Sequence, residues 1–210
     1  MDLRGKKAVF LGDSITEGVG VSDIKKGYVN LVKEKIGLEE AYNRGISGTR
    51  FAVQTTPSEE ASFDIDFISR VAELPEDVEL VVVFGGTNDY GHGDAPFGEF
   101  TDRTAYTFCG ACHVLFESLV NKYYDKKIVI MPPLHRQFEE ENGKSLSDYV
   151  AMIRKAAEFY SIPVLDMYAQ SGIQPQLQVI RDAYCPDGLH PNDAGNEIIA
   201  DKLVKFIQNL

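Results

Sequence analysis

The chain reads as an α/β protein built on an open sheet of about five parallel strands covered on both faces. Three observations predict it: short apolar runs ending in glycine or proline, helical stretches between them, and regular alternation of the two. The first run, residues 7–11, ends at Gly12, and residues 41–43 form another short strand. The run at 79–84 is rich in valine and ends at Gly85-Gly86, as expected of a strand buried on both faces. Residues 127–131, closed by Pro132-Pro133, and 162–165, closed by Asp166, complete the set. Helical spacing of apolar positions predicts helices around 26–36, 62–74, 101–124, 145–160 and 193–209; the last carries Ile198, Ile199, Leu203, Phe206 and Ile207.

With 210 residues and 44% hydrophobic composition, the chain can bury a large core as one domain, residues 1–210, without metals or crosslinks. A formal net charge of -11 and a pI near 4.8 oppose surfaces that attract nucleic acid or anionic lipid. Glu59-Glu60 and Glu139-Glu140-Glu141 read as solvated faces. The apolar stretch from Ala8 to Leu11 is too short for a signal peptide, and no segment approaches the roughly 18 to 20 apolar residues that cross a bilayer. A soluble, cytoplasmic protein without stable membrane insertion is expected, with its three cysteines as free thiols. Oligomeric state is not legible.

In an open parallel sheet, ligands bind beyond the carboxyl ends of the strands. Three polar, glycine-containing segments follow strands: Gly12-Asp13-Ser14, Asn43-Arg44-Gly45-Ile46-Ser47-Gly48 and Gly85-Gly86-Thr87-Asn88-Asp89. A fourth, Asp187-Gly188-Leu189-His190, precedes the last helix. A serine hydroxyl is a weak nucleophile until a base takes its proton, and the base needs a partner to hold its tautomer. Ser14, His190 and Asp187 are the candidates for these roles. The Ser14 N–H, the Gly48 N–H and the Asn88 amide are candidate donors to a developing oxyanion. Asp13 is expected to organise the turn through hydrogen bonds.

Taken singly these fragments are commonplace, but their order resembles the SGNH hydrolases, the GDSL lipase/esterase family. The four blocks match Gly12-Asp13-Ser14, Gly48, Gly86-Thr87-Asn88-Asp89 and Asp187-Gly188-Leu189-His190, over nearly the whole chain, with Ile15 where the family's name has leucine. The resemblance implies a three-layer α/β/α, flavodoxin-like hydrolase. It also implies Ser14 as nucleophile, Gly48 and Asn88 as oxyanion donors, and His190 as base oriented by Asp187. No cofactor or metal is required. The expected reaction is acyl transfer through an acyl-enzyme on a small-molecule or acylated carbohydrate ester, with short acyl groups favoured. Lysophospholipase or thioesterase action on longer chains and a non-catalytic acyl-carbohydrate binding module are the alternatives.

Other signals compete. Cys109-Gly110-Ala111-Cys112-His113 matches the C-x-x-C-H haem-attachment pattern, but it lies in a helical stretch among Phe108, Val114, Leu115 and Phe116, so packing cysteines are expected. Cys185 lacks the glycine turn that would expose a nucleophile and also reads as packing. Tyr90, His92 and His135 are candidate pocket residues, with Phe97, Phe100, Arg136 and Phe138 nearby in sequence.

Overall fold

The computed structural model describes residues 2–139 and 143–210. Its strands are β1 (Lys7–Gly12), β2 (Glu40–Gly45), β3 (Leu80–Phe84) and β4 (Lys127–Met131). All pair in parallel in the order β2-β1-β3-β4. The helices are α1 (Ser14–Glu17), α2 (Tyr28–Ile36), α3 (Phe67–Arg70), α4 (Thr87–His92), α5 (Phe108–Lys122), α6 (Leu146–Phe159), α7 (Met167–Gln170), α8 (Gln178–Tyr184) and α9 (Asp193–Gln208).

Side chains alternate across a strand, and the sheet uses that alternation to face two cores. Val9, Leu11, Val81, Val83 and Ile130 join one apolar cluster with Phe108, Leu115 and Phe116 of α5 and Val150 and Ile153 of α6. Ala8, Phe10, Leu80, Val82 and Val129 join the other with Tyr28, Val29 and Val32 of α2 and Ile199, Leu203 and Ile207 of α9. Helices thus cover both faces, as the uninterrupted apolar runs of β1 and β3 require, and the result is the expected α/β/α sandwich.

The fifth strand is reduced to one parallel bridge between Ile130 and Val164. The Ile130 N–H donates to the Pro163 carbonyl and the Leu165 N–H to the Ile130 carbonyl, both at 3.0 Å. Pro163 has no N–H to extend the ladder, and Asp166 at once caps α7 by accepting from the Ala169 N–H. The stretch 62–74 is broken, because Asp66 restarts the helix as the cap of α3 after a 3₁₀ turn at Ala61–Asp64. Likewise α5 starts at Phe108 rather than near 101. Thr107 caps it, and the Asp102 carboxylate holds the preceding loop by accepting from the Glu99 N–H and the Thr107 hydroxyl. Periodicity does not predict the short helices α1, α4, α7 and α8, which lie in the connections between the longer elements.

Glu59 and Glu60 are exposed, as a solvated acidic run should be. Glu139 is instead buried, with only 8% of its surface exposed, because three donors converge on its carboxylate; Glu140 and Glu141 lie outside the described residues. Cys109, Cys112 and Cys185 are all buried and unbridged. No helix among the described residues is long and apolar enough to cross a membrane.

Strand register decides where the loops emerge. Gly12 lies beside Gly45 on one side and Phe84 on the other, and Phe84 beside Met131, so all four strands end together. The loop after β2 is anchored by Phe51, which is fully buried, with ring centroids 4.9 Å from Phe67 and 6.1 Å from Phe108. Phe51→Ala is expected to lower unfolding free energy by about 3 to 5 kcal/mol in urea titrations, and Phe51→Leu by distinctly less.

Candidate active site

Ser14 is the first residue of α1, directly after β1. Asp13 caps this helix, its carboxylate accepting from the Ile15 N–H at 3.0 Å. The turn is tight enough to demand glycine at its base, since a Cβ on Gly12 would sit 1.9 Å from Thr16 Oγ1. The same closeness holds across the strands, where a Cβ on Gly45 would fall 2.0 Å from the Glu17 nitrogen. Small residues at both strand ends therefore let α1 lie across the sheet edge.

The Ser14 Oγ stands 2.9 Å from His190 Nε2, and His190 Nδ1 stands 2.7 Å from Asp187 Oδ2. The other Asp187 oxygen accepts from the Leu189 N–H at 2.8 Å and the His190 N–H at 2.6 Å. With Nδ1–H donating to the carboxylate, Nε2 is left to accept the serine proton. Partial burial acts to raise the Asp187 pKa, but the His190 and Leu189 backbone donors and the His190 ring outweigh it. The carboxyl is held below its usual range. The Asp-x-x-His loop thus folds on its own acid, and Asn192 caps the following helix through the Gly195 N–H at 3.0 Å.

The remaining sequence candidates fall partly on the same edge. Asn88 is buried in the first turn of α4, and its amide donates to the Thr49 carbonyl at 3.0 Å, which leaves a second N–H on the same nitrogen. Gly48 adopts φ 74°, and a Cβ there would meet the Phe63 ring at 2.2 Å. Asp13 is buried beneath the α1 turn. Tyr90 belongs to the core, its ring 5.8 Å from Tyr149. His92 lies at the exposed end of α4 with Nδ1 3.2 Å from Arg50 Nη1, and its pKa is lowered by partial burial and by the charges of Arg50 and Arg136. His135 sits against Glu139.

Sequence reasoning missed three residues that hold the edge together. The buried Arg70 donates to the Gly12 carbonyl from both terminal nitrogens, at 3.2 and 3.1 Å, to Thr49 Oγ1 at 3.1 Å and to the Arg44 carbonyl. Asp89 accepts from the Phe51 N–H at 2.9 Å and the Ala52 N–H at 3.0 Å, so α4 grips the loop carrying Gly48. Glu139 gathers the loop after β4. Asp89 closes the third matched block, so the sequence marked its position but not its role; Arg70, in an ordinary amphipathic stretch, offered no signal.

Cysteine chemistry is disfavoured here. Burial pushes the Cys185 thiol up to about 12 and Cys109 up to about 11, and raises Cys112 well above its usual value. His113, in the same helix as the last two, packs among Phe100, Phe159 and Tyr160. Among the described residues no three His, Cys, Asp or Glu side chains are grouped so as to hold a metal ion.

Burial pushes Asp13 up to about 7, with the neighbouring Asp89 adding to the rise while the Ile15 N–H and Arg70 oppose it. The folded protein therefore keeps a proton that the unfolded chain releases near pH 4, and stability falls as pH rises from about 4 to about 7. Asp13→Asn retains the cap acceptor without the charge. Its stability relative to wild type should shift in its favour by about 1 to 4 kcal/mol between pH 4 and 8 in denaturant titrations. A difference that stays constant with pH would mean that Asp13 is ionised throughout.

Comparison with known proteins places the fold and the family. Among curated proteins none matches the chain. A crystal structure of a protein from Lactobacillus plantarum matches with TM-score 0.86 and 29% identity, covering 98% of both chains. A lipase/acylhydrolase from Enterococcus faecalis matches with TM-score 0.70 and 20% identity over 97% of this chain and 96% of that one. An acetyl xylan esterase matches with TM-score 0.66 and 20% identity over 96% and 99%. The model of the GDSL-like lipase/acylhydrolase family matches residues 10–198. The chain belongs to that family and is an ester-bond hydrolase.

Proposed function

We propose that the protein cleaves short acyl groups from soluble esters, such as acylated carbohydrates or small metabolites, with Ser14 as nucleophile. The observation that carries this reading is the unbroken chain from Ser14 Oγ to His190 at 2.9 Å and from His190 to Asp187 at 2.7 Å. His190 takes the Ser14 proton as the hydroxyl oxygen attacks the acyl carbon. Asp187 keeps the ring in the accepting tautomer and stabilises the imidazolium. The tetrahedral oxyanion is met by the Ser14 and Gly48 N–H groups and the second N–H of the Asn88 amide. Collapse expels the alcohol, which receives the proton from His190. Water activated by the same ring then releases the acid.

A hydrophilic alcohol is favoured by the surface beside the acid loop. A cavity of about 460 Å³ there is lined by Gln137, Phe138, Glu139, Gln176 and Arg181, and Gln137 packs against Gly188. Amide and guanidinium groups with one exposed aromatic ring suit hydroxylated substrates better than an acyl chain.

Hydrolysis of nitrophenyl esters from acetyl to long acyl tests both parts. Ser14→Ala should lose at least about 10³-fold in kcat/KM, and the wild type should prefer the shortest chains. A long-chain preference would keep Ser14 and overturn the short-acyl reading. Equal turnover by the folded variant would remove Ser14 from its role, and binding of an acylated sugar without turnover by either protein would favour a recognition module.

A further inference from the structure

The loop that follows β4 touches both halves of the candidate site. Arg136 Nη1 donates to the Thr87 carbonyl at 2.9 Å, in the residue before Asn88, and its guanidinium lies 5.4 Å from the Tyr90 ring centroid. One residue on, the Gln137 N–H donates to the Gly188 carbonyl at 2.9 Å, in the residue after Asp187. That backbone bond, together with the packing of the Gln137 side chain against Gly188, fastens the loop to the segment carrying the acid. The stretch 135–139 thus ties the oxyanion side of the site to the base side.

The shape of that stretch is set by one carboxylate. Glu139, 8% exposed, accepts from His135 Nδ1 at 2.8 Å, from the Arg136 N–H at 2.7 Å and from the Tyr168 hydroxyl at 2.9 Å. The His135 and Tyr168 rings pack at a tilt of 33° with centroids 3.7 Å apart, and Tyr168 is flanked by Arg154, itself bound to Asp166 at 2.6 Å. Burial alone would raise the Glu139 pKa, but the His135, Arg136 and Tyr168 donors outweigh it and keep the carboxyl below its usual range. Three donors on a buried acid make a knot that a neutral or shorter side chain cannot reproduce.

We infer that Glu139 is a positioning residue: by folding the 135–139 loop it fixes the distance between the Asn88 turn and the Asp187–His190 loop. Glu139 does not touch the reacting atoms. It acts through Arg136 and Gln137, and this rests on the proposed roles of Ser14, His190 and Asp187. Displacement of a reacting group by about 1 Å can cost roughly 10²-fold in rate, so loosening this tie should show in kcat rather than in substrate binding.

The test compares wild type, Glu139→Ala and Glu139→Gln with nitrophenyl acetate, and follows the low-field proton resonance of the His190 Nδ1–H, assigned by its loss in His190→Ala. Glu139→Ala should lower kcat by about 10- to 100-fold with KM within about threefold, and should broaden or weaken the resonance. Glu139→Gln, which keeps an acceptor for the Arg136 N–H, should recover part of both. A folded Glu139→Ala with wild-type kcat and an unchanged resonance would overturn the inference. Should that variant fail to fold, Arg136→Met carries the test: a kcat loss of about tenfold supports the tie, and an unchanged kcat refutes it. Ser14→Ala in the same assay keeps the two readings apart. Its undiminished turnover would sink the proposed function, and the resonance would still report whether Glu139 holds the loop.

Discussion

Strands that end in register leave their last carbonyls pointing into a region that helices and loops must then cover, and buried carbonyls need donors. Arg70 meets that need. Its guanidinium reaches the carbonyl of Gly12 at the end of β1 and that of Arg44 near the end of β2, and also the Thr49 hydroxyl one residue past Gly48. Burial lowers its pKa to about 10, so it remains a cation at neutral pH, and its charge is spread over carbonyl dipoles. Everything that follows in the site, from the α1 turn to the Gly48 loop, is built on the strand ends it joins.

The second layer of order comes from acids used as acceptors for backbone N–H groups, three of them buried and Asp187 largely exposed. Asp13 takes Ile15, Asp89 takes Phe51 and Ala52, Glu139 takes Arg136, and Asp187 takes Leu189 and His190. Asp89, Glu139 and Asp187 each fix an irregular loop by satisfying two or more donors at once, while Asp13 caps the α1 turn through one. The cost is desolvation, which lifts Asp13 to about 7 and Asp89 to about 6, whereas Asp187 and Glu139 gather enough donors to stay below their ordinary values.

Much of this was legible in the sequence where the signal is local. Apolar runs located β1, β3 and β4, and helical spacing located α2, α6 and α9, because their burial is set by period and composition. The four blocks likewise pointed to Ser14, Gly48, Asn88, Asp187 and His190, which the fold brings to one edge. Boundaries failed where side-chain hydrogen bonds compete with the helix: Asp66 and Thr107 each moved a start, and Pro163 shortened the last strand to a bridge. Tertiary roles were invisible. Glu139 sits in a run of acids that looks solvated, and Arg70 on a helix face that looks ordinary; only the packed chain shows which donors and acceptors they meet.

Ser14 and His190 are 176 residues apart, yet they meet through one hydrogen bond. The loop carrying His190 leads into α9, which packs on α2, so the pair forms only when these two helices have closed on the same face of the sheet. Such contacts carry a high loop-closure cost and come late in assembly. The Ser14–His190 contact is therefore a marker of long-range closure, present only where α9 has docked on α2.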